Sequence, residues 1–166
     1  MNMELSLYIP KPEEYGAYVR MITDPKTMAY NAPWFPPDGC IKNPMEDWEN
    51  LVENWIGHEP ERFFAYLMRK ADGAFVGNVN YHYNAVRDWW DMGVLILASE
   101  RCKGYGRQGL QLLIKHAFSH GVHTLHNEFE TTRVEAYRMH INAGFRETGR
   151  ENGVIQLMLT EKDIQA

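Results

Sequence analysis

The sequence is short of several things, and each shortage narrows what the chain can be. Only two of its 166 residues are cysteines, Cys40 and Cys102. They stand far apart and form no metal-ligand spacing. Nothing calls for a disulfide, and a reducing cytoplasm is the expected compartment. No apolar run approaches the ~18 residues that a membrane span requires. Met1-Asn2-Met3-Glu4 has neither a charged n-region nor an apolar h-region, so a soluble chain without a signal peptide or a membrane partner is expected. Basic runs are missing too. With a net charge of -5 and a pI of about 5.8, the chain lacks the concentrated Lys and Arg that phosphate backbones demand, and nucleic acid is not an expected partner. Without an internal repeat or low-complexity linker, residues 1–166 read as one domain.

What is present supports a packed core: 45% of residues are hydrophobic and 13% aromatic, which excludes wholesale disorder. Residues 4–9 alternate as a short strand that Pro10 stops. Pro12–Ile22 reads as a helix with Tyr15, Val19 and Ile22 on one face. Asn31–Pro44 holds four prolines and Gly39, which rules out regular structure and suggests a binding loop. A helix is predicted over Met45–Ile56 through Trp48, Leu51, Val52 and Trp55. Arg62–Lys70, Ala74–Tyr83 and Trp89–Ala98 follow as an antiparallel meander. Arg107–His120 is an amphipathic helix, with Leu110, Leu113, Ile114, Ala117 and Phe118 on one face and Gly121 past its end. A strand over His123–Phe129, a helix over Val134–Ala143 and two strands, Phe145–Thr148 and Val154–Thr160, complete the chain. Strand, helix, strand implies a parallel pair inside an otherwise antiparallel sheet. The class is mixed α/β.

The segment Arg101-Cys102-Lys103-Gly104-Tyr105-Gly106-Arg107-Gln108-Gly109 joins the meander to the amphipathic helix. Two glycines one residue apart allow a tight turn with its N–H groups directed into one concavity. The helix that follows adds its unpaired N–H groups and the positive end of its dipole, and Arg101, Lys103 and Arg107 add charge. Such a loop suits a pyrophosphate. Gly104-x-Gly106-x-x-Gly109 matches the dinucleotide fingerprint, and Glu128 follows at a suitable distance. That reading also needs two βαβαβ halves, for which the remaining chain is too short.

Arg101-x-x-Gly104-x-Gly106 matches the coenzyme-A signature Q/R-x-x-G-x-G/A of the GNAT N-acetyltransferase superfamily, at the same strand-to-helix junction. Ala136-x-x-Met139-His140-x-x-x-Gly144-Phe145 resembles the family's second block, where a helix ends in Gly-Phe. The order of elements is similar from end to end. The resemblance implies a mostly antiparallel, twisted sheet of six or seven strands with a central splayed parallel pair and helices on both faces. It implies acetyl-CoA as co-substrate, no metal, direct transfer to a primary amine of a small molecule or peptide within one ternary complex, and a homodimer as a reasonable assembly. A coenzyme-A-binding sensor without turnover is the alternative.

The resemblance also assigns roles. Leu95, Ile96 and Leu97 would offer backbone groups to the pantetheine arm, one N–H polarising the thioester carbonyl. Cys102 to Arg107 (Cys102, Lys103, Gly104, Tyr105, Gly106 and Arg107) would hold the pyrophosphate, with Arg101 heading the signature. A nucleophilic Cys102 is not expected, because transfer is direct. Arg133 stands where relatives commonly have Asn, and would contact pantetheine or a phosphate or be a surface charge. His140 stands where many have a Tyr that protonates the leaving thiolate. As an imidazolium it could serve as that acid, or it is a packed or solvent-facing side chain.

The attacking amine must lose a proton to a carboxylate or histidine. His82, Asp91, Glu128 and Glu130 are the candidates; Glu128 comes first and Asp91 second, both on strands flanking the cleft. Trp34 and Phe35, with His82, are the candidates for the acceptor wall. His116 and His120 are spaced i, i+4, but the sequence lacks the Glu of an H-E-x-x-H helix, so no metal site is expected there.

Overall fold

The computed structural model describes residues 3–165; Met1 and Asn2, read above as free of a signal region, lie outside the described residues. A seven-stranded sheet runs in the order β1-β2-β3-β4-β5-β7-β6. Its strands are β1 (Leu5–Tyr8), β2 (Arg62–Arg69), β3 (Phe75–Asn84), β4 (Trp89–Ile96), β5 (Thr124–Glu130), β6 (Arg146–Glu151) and β7 (Val154–Thr160). Every neighbouring pair is antiparallel except β4 and β5. The helices are α1 (Tyr15–Thr23), α2 (Pro25–Met28), α3 (Pro44–Asn54), α4 (Tyr105–Ser119), α5 (Val134–Asn142) and α6 (Glu161–Gln165).

Strand alternation divides the interior into two cores. Phe63, Ala65 and Leu67 of β2, Val79 and Tyr81 of β3, and Leu125 and Phe129 of β5 face α4, whose Leu110, Leu113, Ile114 and Ala117 cover them. Phe64 and Tyr66 of β2 face the other way and pack against Ala17, Tyr18, Met21 and Ile22 of α1 and Trp48 and Leu51 of α3. Helices therefore cover both faces, as the resemblance implied.

Some local expectations shift. Pro12–Glu14 forms a 3-10 turn before α1, and the buried stripe of α1 is Ala17, Tyr18, Met21 and Ile22 rather than Tyr15, Val19 and Ile22. The packing partners on β2 set that rotation, and the sequence of one helix does not contain them. Val52 of α3 is likewise exposed. Asp24 begins the unexpected α2 by accepting from the Lys26 and Thr27 amides, an ordinary N-cap.

The parallel pair is brief. Trp90 pairs with Leu125 and Asp91 with His126, and there β4 and β5 part, although β4 continues to Ile96 and β5 to Glu130. β4 remains fully paired to β3 on its other edge, Ile96 opposite Gly77. A Cβ on Gly77 would lie 2.0 Å from the Leu95 carbonyl oxygen, so only glycine lets β4 lie this close. Gly77→Ala is expected to cost at least ~2 kcal/mol in urea unfolding, an overpacking penalty that backbone cannot relieve by rotamer change.

Candidate active site

The sheet opening and the start of α4 build the site from two directions. Past Asp91 a cavity of about 410 Å³ passes through the gap, lined by Met92 to Leu95 of β4 and Asn127 to Glu130 of β5. On one side it is walled by Ala136, Met139 and His140 of α5; on the other it opens between α1, α3 and the loop carrying Tyr30 and Trp34. The amide of Leu97 donates to the Val76 carbonyl at 3.0 Å. Because hydrogen-bonding direction alternates along an antiparallel strand, Leu95 and Gly93 also turn toward β3. Val94 and Ile96 turn toward the gap instead. Of the three residues expected to present backbone groups there, only Ile96 has the right phase, and Val94 joins it.

The loop at 101–107 divides into backbone amides that stay free and side chains that brace. No backbone amide from Cys102 to Arg107 has an acceptor among the described residues, and Gly104, at φ +79°, caps α4 without any side-chain bond. Six successive N–H groups and an uncapped 15-residue helix form a cradle suited to an oxyanion. Gly106 lies against Met139, whose sulfur would be 3.1 Å from an added Cβ. Met139 also lines the cavity, so cradle and cavity adjoin.

Three side chains expected to add to this cradle do other work. Arg101 spends its guanidinium on carbonyls, donating to Ile96 (3.2 Å), Lys26 (3.3 Å) and Thr27 (2.9 Å). It is a brace between β4 and α2, aided by the Ala98 amide donating to Thr27 Oγ1 at 2.9 Å. Lys103 pairs with Glu100 at 2.8 Å, and Glu100 also holds Arg69. Tyr105 is buried in the core. Arg107 is exposed and forms no ion pair among the described residues. Cys102 is exposed with φ +62°, and no base contacts it among the described residues.

His140 does not present an imidazolium. It is only 3% exposed, and its Nδ1 donates to the Ala136 carbonyl at 2.7 Å. Its Nε2 accepts from the Asn127 amide at 3.0 Å. Burial depresses its pKa to about 4, with the neighbouring Arg133 charge acting in the same direction. A positively charged ring would lose both solvation and the Asn127 bond, which explains why the neutral form is held.

Arg133 is not a surface charge. It is half-buried in the cavity wall, its guanidinium 5.0 Å from the Tyr30 ring and 5.3 Å from that of Phe129, a double cation–π contact. Glu128 and Glu130 line the same cavity. Trp34, 64% exposed, stands at its mouth, whereas Phe35 lines a separate outer groove. Asp91 and His82 also fall outside the main cavity. They line a neighbouring one of about 300 Å³ that Glu128 shares. Asp91 already accepts from Asn84 (3.1 Å), Trp89 (3.0 Å) and His126 (2.8 Å), so it is poorly placed as a proton acceptor. His82 packs edge-on against Trp55 at 5.4 Å.

The sequence reading missed Tyr18, Tyr30, Asp47, Asn50, Asn78 and Asn80, all of which line the cavity. One signal was available: Asn78, Asn80 and His82 alternate on one face of an otherwise apolar strand, a pattern that a purely structural strand avoids.

The family model for the acetyltransferase (GNAT) domain matches residues 4–155. The chain belongs to the GNAT acetyltransferase family. A search of curated protein sequences gives no significant match. Among solved structures it is similar to a spermidine N-acetyltransferase from Vibrio cholerae in complex with CoA and spermine, at a TM-score of 0.78 and 15% identity over 99% of this chain and 100% of that one. A GNAT-family acetyltransferase from Bacillus anthracis gives 0.74 and 17%, over 96% of each chain. The GNAT domain of S. lividans PAT gives 0.72 and 15%, over 94% of this chain and 89% of that one. At these identities the likeness shows the shared GNAT fold.

The buried neutral His140 links stability to pH. Its folded pKa, about 4, lies below the usual 6.5, so the unfolded chain binds the extra proton between those values. Stability is full above pH 6.5 and falls by roughly 3 kcal/mol as pH drops through that window. Chemical unfolding of wild type against His140→Gln across pH 4–7 should show this slope in the first and its loss in the second.

Proposed function

We propose that this GNAT protein transfers the acetyl group of acetyl-CoA to a primary amine. The observation that carries the reading is the junction of the six-amide cradle with the cavity through the parted strands. A diphosphate held by the amides of residues 102–107 would enter at the N-terminus of α4, where the helix dipole favours it. Arg107 supplies the free side-chain charge. The pantetheine arm would then lie along β4, and the Val94 and Ile96 amides would meet its carbonyls. The bound co-substrate supplies an activated thioester; the rest is positioning and proton transfer by this chain.

The acceptor side is acidic and aromatic. Asp47, Glu128 and Glu130 line it together with Tyr18, Tyr30, Trp34 and Trp55. Carboxylates and ring faces together favour a cationic amine, and the cavity volume of about 410 Å³ favours a small molecule or a slender side chain over a folded surface. Glu128 is exposed and lies at the meeting of the two cavities. It takes the proton from the ammonium and passes it to solvent. The amine lone pair forms the C–N bond as the C–S bond breaks, while the Val94 amide stabilises charge on the carbonyl oxygen, a contribution of typically ~3 kcal/mol. The departing thiolate takes its proton from solvent. His140, held neutral, keeps Asn127 in place on the cavity wall rather than acting as the acid.

The test is thiol release from acetyl-CoA with a panel of monoamines, polyamines, amino acids and lysine peptides. Amine-dependent release, greatest for small cationic amines, is expected, and acetyl-CoA but not NAD should raise the melting temperature. Melting stabilised by acetyl-CoA without release in the presence of any amine would make the chain a binding module.

Two variants separate the halves of the site. Glu128→Gln should lower kcat by about 10²-fold or more and remove the ascending limb of the pH–rate profile, leaving KM for acetyl-CoA nearly unchanged. Gly106→Val, whose side chain meets Met139, should instead raise that KM by about tenfold or more.

A further inference from the structure

At the far end of α4, about 16 Å along the helix from the cradle, another set of side chains converges. Glu59, from the loop between α3 and β2, meets His116 and His120. The Nε2 of His116 lies 2.5 Å from one Glu59 oxygen, and the Nε2 of His120 lies 3.6 Å from the other. All the donor atoms fall within 4.8 Å of one another. The i, i+4 histidines share one helix face. The carboxylate that the local sequence lacks arrives from 57 residues away.

The rings are held in place before any ion arrives. His116 stacks on buried Phe63 with centroids 4.0 Å apart, and on His120 at the same separation. His120 Nδ1 lies 2.8 Å from the His116 carbonyl. Donation there fixes the tautomer and leaves the Nε2 lone pair outward, as in established metal sites. Exposure is moderate, 21% for His116, 26% for Glu59 and 43% for His120, so an ion could enter from solvent.

A buried polar group lies nearby. Tyr81 is fully buried, and its hydroxyl has no hydrogen-bond partner among the described residues. Its ring lies 5.2 Å from that of Phe63, the ring on which His116 stacks. Such an orphan needs an explanation; a water on a bound ion would satisfy it.

We propose that Glu59, His116 and His120 bind a divalent transition-metal ion of the Zn²⁺ class, with water completing the shell. Two imidazoles and one carboxylate suit Zn²⁺ and disfavour Mg²⁺ or Ca²⁺, which want oxygen alone. Zn–N and Zn–O distances of about 2.0–2.1 Å in a tetrahedron set donor atoms about 3.3 Å apart. The observed 2.5 and 3.6 Å spacings bracket that value, and no two of the three donor atoms lie more than 4.8 Å apart. The ion would clasp the Gly57–Glu61 loop to α4. That loop begins two residues after Trp55, which lines the acceptor side of the main cavity.

The test titrates tag-free, EDTA-treated and desalted protein with Zn²⁺ by calorimetry, and with Co²⁺ by visible absorption. One equivalent of Zn²⁺ should bind with a Kd on the order of micromolar, and Co²⁺ should give the intense ligand-field bands of a four-coordinate site. His116→Ala, His120→Ala and Glu59→Gln should each weaken Zn²⁺ by at least about tenfold, with His123→Ala unchanged. Circular dichroism in EDTA identifies any variant that misfolds, and the wild-type Co²⁺ spectrum is independent of the variants. No saturable Zn²⁺ uptake, a purely octahedral Co²⁺ spectrum, or uptake retained in all three variants overturns the proposal and leaves an ordinary carboxylate–histidine ion pair. Because the readout is metal binding, its failure is distinct from a failure of acetyl transfer.

Discussion

Two neighbouring strands that begin as a hydrogen-bonded pair and then separate govern this molecule. β4 and β5 share pairing only at Trp90–Leu125 and Asp91–His126. Beyond that point β4 keeps its place because β3 holds the opposite edge, with Gly77 letting the two backbones approach. β5 keeps its place because β7 pairs with it along its whole length, from Thr124–Thr160 to Glu130–Val154. Each strand is therefore stable without the other. Backbone groups turned toward the opening are free for a guest, and side chains from both faces of the sheet reach one space.

The cradle beside this opening depends on a similar substitution of roles. A helix start is ordinarily satisfied by a side-chain cap, but α4 has glycine there and no capping bond. The surrounding charges have been diverted to structure. Arg101 ties the end of β4 to α2, while Glu100 gathers Arg69 and Lys103. What remains unengaged is mostly backbone dipole plus Arg107, and the proposed diphosphate site rests on these. Recognition through amides is geometrically strict, because their directions follow from the main-chain fold and not from rotamers.

Histidine shows how one residue type is put to different uses by environment. His140 is neutral because burial and its two hydrogen bonds leave no place for a charge. His126 is tied to Asp91. His116 and His120 sit at the surface with a carboxylate between them. Sequence position alone distinguishes none of these.

The sequence by itself determined the class of fold, the glycine turn into α4 and the family. Those depend on local signals: strand alternation, a 3.6-residue stripe through Leu110 and Ala117, and two glycines ahead of a helix. The tertiary structure alone decided which backbone groups face the gap, since the phase of β4 is set by its register against β3, and so Val94 replaces Leu95. It decided that Arg101 braces the fold, because two of its three acceptor carbonyls lie about seventy-five positions earlier on α2. It brought Asp47, Asn78 and Glu128 to one cavity, and Glu59 to His116. Long-range packing creates these meetings, and no periodicity along the chain records which distant side chain will arrive.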